Sequence, residues 1–139
     1  MTTAQQEKYS SFVAEFNGTV KESELLSAYT TFGTGGPADL FIDAVTAENL
    51  AQAVSLAKEH SISWFIIGQG SNLLVSDSGY RGLIIRNSVS GLDVKDNEVT
   101  SGAGELLDRV VDYATECSLT GFEFGAGIWG TNNLLSTDA

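Results

Sequence analysis

Apolar residues recur along the chain with two different spacings, and each spacing predicts a different element. Between two apolar runs they fall three or four positions apart, at Leu50, Ala53, Val54 and Ala57. That spacing predicts a helix that begins after Thr46, a favourable N-cap residue, and ends near His60. The flanking runs, 38–45 and 64–67, predict a half-buried strand and a buried strand. Together these elements predict a strand–helix–strand unit with a right-handed crossover.

The rest of the apolar pattern predicts elements on both sides of this unit. They are a helix over 3–16, a strand over 83–86, an extended segment over 98–101 and a helix over 105–117. The last helix has one continuous apolar face, which includes Val110 and Ala114. Residues 90–97 are rich in turn formers. A soft boundary near 87–97 therefore divides the chain into a strand–helix–strand part and a shorter second part.

Charge and residue usage exclude several classes of function. The chain has 18 acidic and 7 basic residues, a net charge of −11, and the basic residues are dispersed. Nucleic-acid and anionic-membrane binding both require a basic face, so neither is expected. A single cysteine, Cys117, and a single histidine, His60, exclude an internal disulfide and a Ser-His triad, and no metal site is expected. The absence of a secretory signal pattern or a long apolar run favours a cytoplasmic protein.

Four glycine-rich segments, 33–36, 68–72, 102–104 and 125–130, are the candidates for chemistry. Glycine is needed where φ is positive or where the backbone closely approaches a ligand. Successive backbone N–H groups in such loops form a concavity that binds anions. A chain with so few cations can hold a pyrophosphate in this way, although each segment alone is also explained as a tight turn.

Two common nucleotide-binding motifs do not fit these segments. The sequence GQGSNL after the strand at 64–67 resembles a Rossmann fingerprint, but Leu73 occupies the third glycine position. The residues that follow lack helical periodicity, whereas the dinucleotide turn requires a helix N-terminus there. A Walker A motif is excluded because no Gly-Lys-Ser/Thr is present.

Four motifs, in order, carry a resemblance to a known family. Residues 31–38 (TFGTGGPA) and 67–75 (IGQGSNLLV) resemble the N-T-F-G-x-G-G-P-A and G-G-G-S-N-L-L-V motifs of the UDP-N-acetylenolpyruvoylglucosamine reductases. Residues 102–104 match their G-A-G, and 121–131 resemble their G-x-E…G-I-P-G-T. The chain therefore resembles the N-terminal FAD-binding part of that family, the enzymes that make UDP-N-acetylmuramate for peptidoglycan.

The resemblance implies an α+β fold, the FAD-binding fold of the vanillyl-alcohol-oxidase/PCMH type. It places a helix and lead-in over 1–27, a first FAD-binding subdomain over 28–87 and an incomplete second one over 88–139. The glycine segments would approach the pyrophosphate and the isoalloxazine of a non-covalently bound FAD. The implied cofactor-binding residues are Gly68, Gln69, Gly70, Ser71, Asn72, Leu73, Gly102, Ala103, Gly104, Glu123, Gly127, Ile128, Gly130 and Thr131. Glu123 would shape its loop by accepting backbone hydrogen bonds, with flavin contact as the second reading.

In the family, NADPH reduces the flavin, and the flavin passes hydride to the enolpyruvyl group of a UDP-sugar. The arginine, serine and glutamate that assist belong to segments without a counterpart here, so no residue is assigned a catalytic role. Arg81, Arg86 and Arg109, predicted on a turn, a strand end and a helix, match no motif. Gln69 and Trp129 replace a glycine and a proline of the family pattern, and the sequence after Thr131 departs from it. These departures predict a truncated chain that is inactive alone.

Three functions remain open at this point. The first is an oxidoreductase domain that is active only in a complete chain. The second is a non-catalytic flavin- or nucleotide-binding module. The third is a truncated remnant without a ligand, which survives as a folded or self-associating fragment. Yellow colour in the purified protein would separate the first two from the third.

Overall fold

A four-stranded sheet forms the centre of the computed structural model, which describes residues 2–68 and 73–121. The strands are β1 (Lys21–Leu25), β2 (Pro37–Ala44), β3 (Trp64–Ile67) and β4 (Tyr80–Asn87), in the order β1-β2-β4-β3. β2, β4 and β3 are parallel, and β1 is antiparallel to β2. The carboxyl ends of three strands therefore lie along one edge of the sheet.

Two helices, α1 (Thr3–Glu15) and α2 (Ala47–Glu59), cover one face of the sheet. The threonine before each helix, Thr2 or Thr46, accepts a hydrogen bond from a backbone N–H of the first turn. The main core lies between the helices and this face and includes Phe12, Leu40 and Ile85, all fully buried. No helix in the described ranges is long and apolar enough to cross a membrane.

The opposite face is covered by irregular chain. A 3₁₀ turn, Leu26–Tyr29, and the segment 73–76 pack over it. Leu26, Ala38, Phe41, Ile67 and Ile84 form the buried part of this second core. Glycine-containing loops, rather than helices, therefore lie on this side of the sheet.

A smaller unit follows the sheet. β5 (Leu92–Lys95) and β6 (Glu98–Ser101) form an antiparallel hairpin, and α3 (Leu107–Glu116) follows them. The buried residues of α3 lie on one face: Leu107, Val110, Val111 and Ala114. This confirms the apolar face predicted from the spacing, although the helix begins two residues after position 105.

The predicted helices and the strands of the strand–helix–strand unit are confirmed, with two corrections. β2 is buried on both faces from Ala38 to Ile42, not half-buried, because helices cover one side and loops the other. β3 was expected to be a buried strand but is an edge strand, and its Phe65 is 51% exposed. β4 inserts between β2 and β3, so the two predicted strands are parallel without being neighbours.

The sequence pattern missed two strands and misplaced one arginine. β1 went unnoticed, and the turn residues predicted over 90–97 include β5. Arg81 is the second residue of β4 and not a turn residue.

Candidate functional site

Gly68, the first residue of the glycine segment 68–72, lies at the carboxyl edge of the sheet. Gly68 directly follows β3, and Ile67 pairs in register with Arg86 of β4. Open parallel sheets bind ligands beyond the carboxyl ends of their strands, so this edge is the expected place for a ligand. Gln69, Gly70, Ser71 and Asn72 lie outside the described residues, and Leu73 resumes the chain.

The chain after this segment is not helical, as the sequence predicted. Residues 73–76 are irregular, a turn follows at Asp77, and β4 begins at Tyr80. A helix that began at Ser71 would have to continue through Leu73, which excludes the helix N-terminus that a Rossmann turn needs.

An apolar cavity of about 270 Å³ lies beneath the 73–76 segment. Its lining includes Leu73, Val75, Tyr80 and Ile84, together with Phe65 from the edge strand. Pockets that enclose a drug-sized ligand measure roughly 300–1,000 Å³. This cavity therefore has room for one ring system and not for a whole dinucleotide.

The carboxyl edge also carries a polar cluster on the loop-covered face. The Arg86 guanidinium lies 4.0 Å from Asp43 and 5.5 Å from the centroid of the Tyr29 ring. The Ser88 hydroxyl donates to Asp43, and the Tyr29 hydroxyl donates to Glu24. Burial, and secondly the bond to Glu24, raises the pKa of Tyr29. Arg86 is thus a partly exposed cation in register with the residue that precedes the glycine segment.

Two glycines allow the loops before β2 and β4 to come into contact. We call this contact the first glycine junction, and it consists of Gly36, Pro37, Ser76, Asp77 and Gly79. The N–H groups of Gly36 and Gly79 both donate to the Ser76 carbonyl, at 2.9 Å each. A Cβ at Gly36 would overlap the Asp77 carbonyl oxygen, and a Cβ at Gly79 would overlap that of Pro37. The glycine at 36, predicted as part of a ligand-binding segment, thus has a packing role.

A charged network closes the first glycine junction from the side. Arg81 lies 2.7 Å from Asp39 and also donates to the Pro37 and Ser78 carbonyls, at 2.8 and 3.3 Å. Asp39, only 8% exposed, accepts a second bond of 2.8 Å from the Tyr9 hydroxyl of α1. Burial, and secondly the bond to Asp39, raises the pKa of Tyr9.

The glycines at 102 and 104 form a second glycine junction with Ser88, Val89 and Ser90. Their N–H groups donate to the carbonyls of Gly91 and Val89, at 2.8 and 2.7 Å. A Cβ at Gly104 would lie 2.5 Å from the Ser88 carbonyl carbon. Glu105, buried to 8% exposure, accepts from the Gly91 N–H at 2.8 Å. This arrangement gives Gly102 and Gly104 a packing role and already uses their amides.

The predicted cofactor-binding residues therefore fall into two groups, those that the structure describes and those that it does not. Gly68 and Leu73 lie at the carboxyl edge, and Gly102, Ala103 and Gly104 lie beside the backbone that follows β4. Their contact with a flavin stays a prediction. The other predicted residues fall outside the described ranges: Gln69, Gly70, Ser71, Asn72, Glu123, Gly127, Ile128, Gly130 and Thr131.

Sequence reasoning missed the network of Tyr9, Asp39 and Arg81. One signal was available: Asp39 is a carboxylate inside an apolar strand, and a buried carboxylate requires a partner. The identity of that partner was not readable, because Arg81 is 42 residues away in the sequence and reaches Asp39 only through the pairing of β2 with β4.

Comparisons with known proteins show the family to which the chain belongs. Residues 38–132 match the family described as FAD binding domain. The UDP-N-acetylenolpyruvoylglucosamine reductase of Anoxybacillus flavithermus is 39% identical over 116 residues, which are 82% of this chain and 38% of that protein. The reductase of Desulforamulus reducens is 40% identical over 129 residues, which are 88% of this chain and 43% of that protein.

Solved structures confirm the predicted fold class. The UDP-N-acetylenolpyruvylglucosamine reductase of Thermus caldophilus has a TM-score of 0.62 at 34% identity, over 82% of this chain and 40% of that one. p-Cresol methylhydroxylase has a TM-score of 0.61 at 18% identity, over 86% of this chain and 26% of that one, which shows the fold alone. The chain spans about two fifths of the length of its reductase relatives, 38% and 43% in the two cases above. Because the family match covers more than half of it, the chain belongs to the FAD binding domain family, and it is similar to about two fifths of the length of the UDP-N-acetylenolpyruvoylglucosamine reductases.

Proposed function

We propose that this chain holds FAD non-covalently at the carboxyl edge of its parallel strands, as the flavin-binding part of a UDP-N-acetylenolpyruvoylglucosamine reductase. The observation that carries the proposal is the position of Gly68. It directly follows β3 beside β4, at the edge where open parallel sheets bind ligands, in a chain matched to the FAD binding domain family.

The residues present fit a flavin nucleotide in two respects. Arg86 places a cation in register with Ile67, at the start of the glycine segment, where it would oppose the pyrophosphate charge. The cavity beneath 73–76 is apolar and has room for one ring of the cofactor. Backbone amides of 68–73 would supply the remaining pyrophosphate contacts, since the amides of Gly102 and Gly104 already donate within the protein.

When bound, the flavin supplies hydride chemistry, and the residues of this chain bind and orient it. Asp43 would hold the Arg86 guanidinium at the edge until a phosphate replaces it as the partner. Leu73 and Val75 would exclude water from one side of the cofactor, because both line the apolar cavity. Glu123, Gly127, Ile128, Gly130 and Thr131 complete the proposed flavin contacts, following the family motif.

The activity of the complete enzyme is also part of the proposal. NADPH would reduce the flavin, and a UDP-sugar carrying an enolpyruvyl group would accept the hydride, in the cytoplasmic synthesis of peptidoglycan. No residue of this chain matches the family's proton donor or its enolate-stabilising cation. We therefore propose that this chain alone binds FAD without turning over the UDP-sugar.

Quenching of flavin fluorescence on titration with FAD tests the binding. We expect saturable binding by the wild-type chain and at least about tenfold weaker binding by Gly70→Asp, because juxtaposed like charges cost several kcal/mol. Ser55→Asp adds the same charge on an exposed position of α2, on the other face of the sheet, and is expected to bind as wild type. Equal affinity in all three proteins would refute the proposed site.

Anaerobic consumption of NADPH, with and without the enolpyruvyl UDP-sugar, tests the second half of the proposal. The FAD-loaded chain is expected to show no substrate-dependent consumption. Turnover at a rate typical of enzymes, around 1 s⁻¹ or more, would contradict it.

A further inference from the structure

We propose that Arg81 is a positioning residue for the glycine loop: it clamps the 76–79 turn, which follows the loop, to the start of β2. The consequence for FAD affinity rests on the function proposed above. The clamp itself is a property of the free protein and is testable without cofactor.

The clamp is built from three contacts that radiate from one guanidinium. One nitrogen, Nη1, lies 2.7 Å from Asp39 Oδ1. The other, Nη2, donates to the Pro37 carbonyl at 2.8 Å and to the Ser78 carbonyl at 3.3 Å. Arg81 thus joins the first residues of β2 to the turn at Ser78. This turn follows the glycine loop and the segment 73–76. A planar fork with several fixed donors can make such contacts together, whereas a lysine ammonium is a single point charge.

Burial makes Asp39 the fixed end of the clamp. Its side chain is 5% exposed, whereas that of Arg81 is 59% exposed. Its strand, β2, is paired with β1 on one side and β4 on the other, so the sheet holds Asp39 whether or not the Tyr9 hydroxyl donates to it. Asp39 therefore cannot follow the loop, and Arg81 is held in place against the rigid sheet.

The position of Arg81 is transmitted to the loop through Ser76. Its carbonyl accepts from both Gly36 and Gly79, and Ser76 is only four residues after Asn72. The described residues on the two sides of the glycine loop are thereby held, Gly68 by β3 and Ser76 by the clamped turn. An anchored loop loses less conformational entropy when it binds a ligand, which is the general basis of preorganisation.

Hydrogen exchange of the free protein tests the clamp directly, at the Gly36 and Gly79 amides that donate to Ser76. We expect Arg81→Gln to raise exchange at both amides by roughly tenfold, the fold-change expected for losing a charge-assisted hydrogen bond. Arg81→Lys keeps the positive charge but loses the planar guanidinium, so it should raise exchange by an intermediate amount. If Arg81→Gln does not fold, the lysine variant alone provides the test. Lys58→Gln removes a positive charge from an exposed position of α2 and serves as the control.

FAD titration of the same variants, together with Tyr9→Phe, separates positioning from general stability. Tyr9→Phe weakens the fold at Asp39 but leaves all three Arg81 contacts. We expect a roughly tenfold rise in the FAD Kd for Arg81→Gln, a smaller one for Arg81→Lys, and a wild-type Kd for Tyr9→Phe.

The outcomes distinguish the two proposals. Wild-type exchange at Gly36 and Gly79 in both Arg81 variants would overturn the clamp, whatever the cofactor does. If exchange rises but the Kd of Tyr9→Phe increases as much as that of Arg81→Gln, affinity follows stability and the positioning role is refuted. Absence of FAD binding by the wild-type chain would refute the proposed function, while the exchange data would still decide the clamp.

Discussion

The two glycine junctions have the same kind of close backbone packing, but they differ in the side chains that stabilise them. In each, glycines let two backbone segments approach closer than a Cβ allows. The first is closed by buried Asp39, which has a partner on α1 and a partner on β4. The second is closed by Glu105, which accepts from Gly91 and lies 3.4 Å from the exposed Arg109 of α3.

The difference indicates how each region is held. The first glycine junction links the sheet, a helix and the loop side, so disturbing it should affect the whole fold. The second links a hairpin and a helix that follow the sheet, and its effects should stay local.

Gly79→Ala should have the largest effect. Gly79 has φ +79°, and an added Cβ would overlap the Pro37 carbonyl oxygen. Backbone strain costs about 1–3 kcal/mol and overpacking a similar amount, so we expect a loss of about 3 kcal/mol or more. Gly33→Ala is the matched control, because φ is +68° and nothing lies within 4 Å of the added Cβ. Urea denaturation measures both, and equal losses would show that the junction is not tightly packed.

Gly104→Ala should cost less, about 1–3 kcal/mol. Its Cβ would crowd Ser88, but Gly104 is not among the glycines with positive φ, so no backbone strain is added. Thermal unfolding of the two variants side by side gives the comparison. A loss as large as that of Gly79→Ala would contradict the local role of the second glycine junction.

Tyr9→Phe should cost about 1.5 kcal/mol near neutral pH, the lower end of the range for a hydrogen bond to a charged group. It should also flatten the alkaline loss of stability. The pKa of Tyr9 is raised above its ordinary 10.0, so the folded state holds this proton more tightly. The resulting stability is complete below about pH 10 and is lost as pH rises through the raised pKa.

Tyr29 and Tyr80 also have raised pKa values, so the variant should retain part of the alkaline slope. Unfolding free energies measured between about pH 8 and pH 11 test this. An identical slope in wild type and Tyr9→Phe would exclude Tyr9 as a contributor.

Glu105→Gln should have the smallest effect, less than about 1 kcal/mol. The amide oxygen can still accept from Gly91, and the lost ion pair involves an arginine that is 69% exposed. Glu105→Ala removes the acceptor and should cost about 1–3 kcal/mol. If glutamine were as damaging as alanine, the charge rather than the hydrogen bond would support the second glycine junction.

Local pattern was sufficient for most elements of this fold. The spacing in 46–60 and in 105–117 reflects one buried helix face each, and such periodicity survives in the sequence. β1 was missed because most of its side chains, KESEL, are exposed, and it is held by backbone pairing with β2. The order of β2, β4 and β3 is a tertiary property that no local pattern encodes.

The motifs of the candidate site were predictable from the sequence, but the contacts that hold its loops in place were not. The glycine segments and their family resemblance were readable directly. The reasons for Gly36, Gly79, Gly102 and Gly104 were not, because each depends on a backbone segment distant in sequence. Asp39 was visible as a carboxylate inside an apolar strand, but its partner Arg81 was not readable for the same reason.

We propose that FAD binds at the carboxyl edge of the sheet, beside Gly68 and Leu73. Amide chemical-shift mapping by NMR, with and without FAD, tests it most directly because it locates the ligand. We expect the largest changes at Gly68 and Leu73 and at Arg86, with little change in α2 or β1. Saturable changes concentrated on the helix-covered face, with Gly68 and Leu73 unmoved, would contradict it.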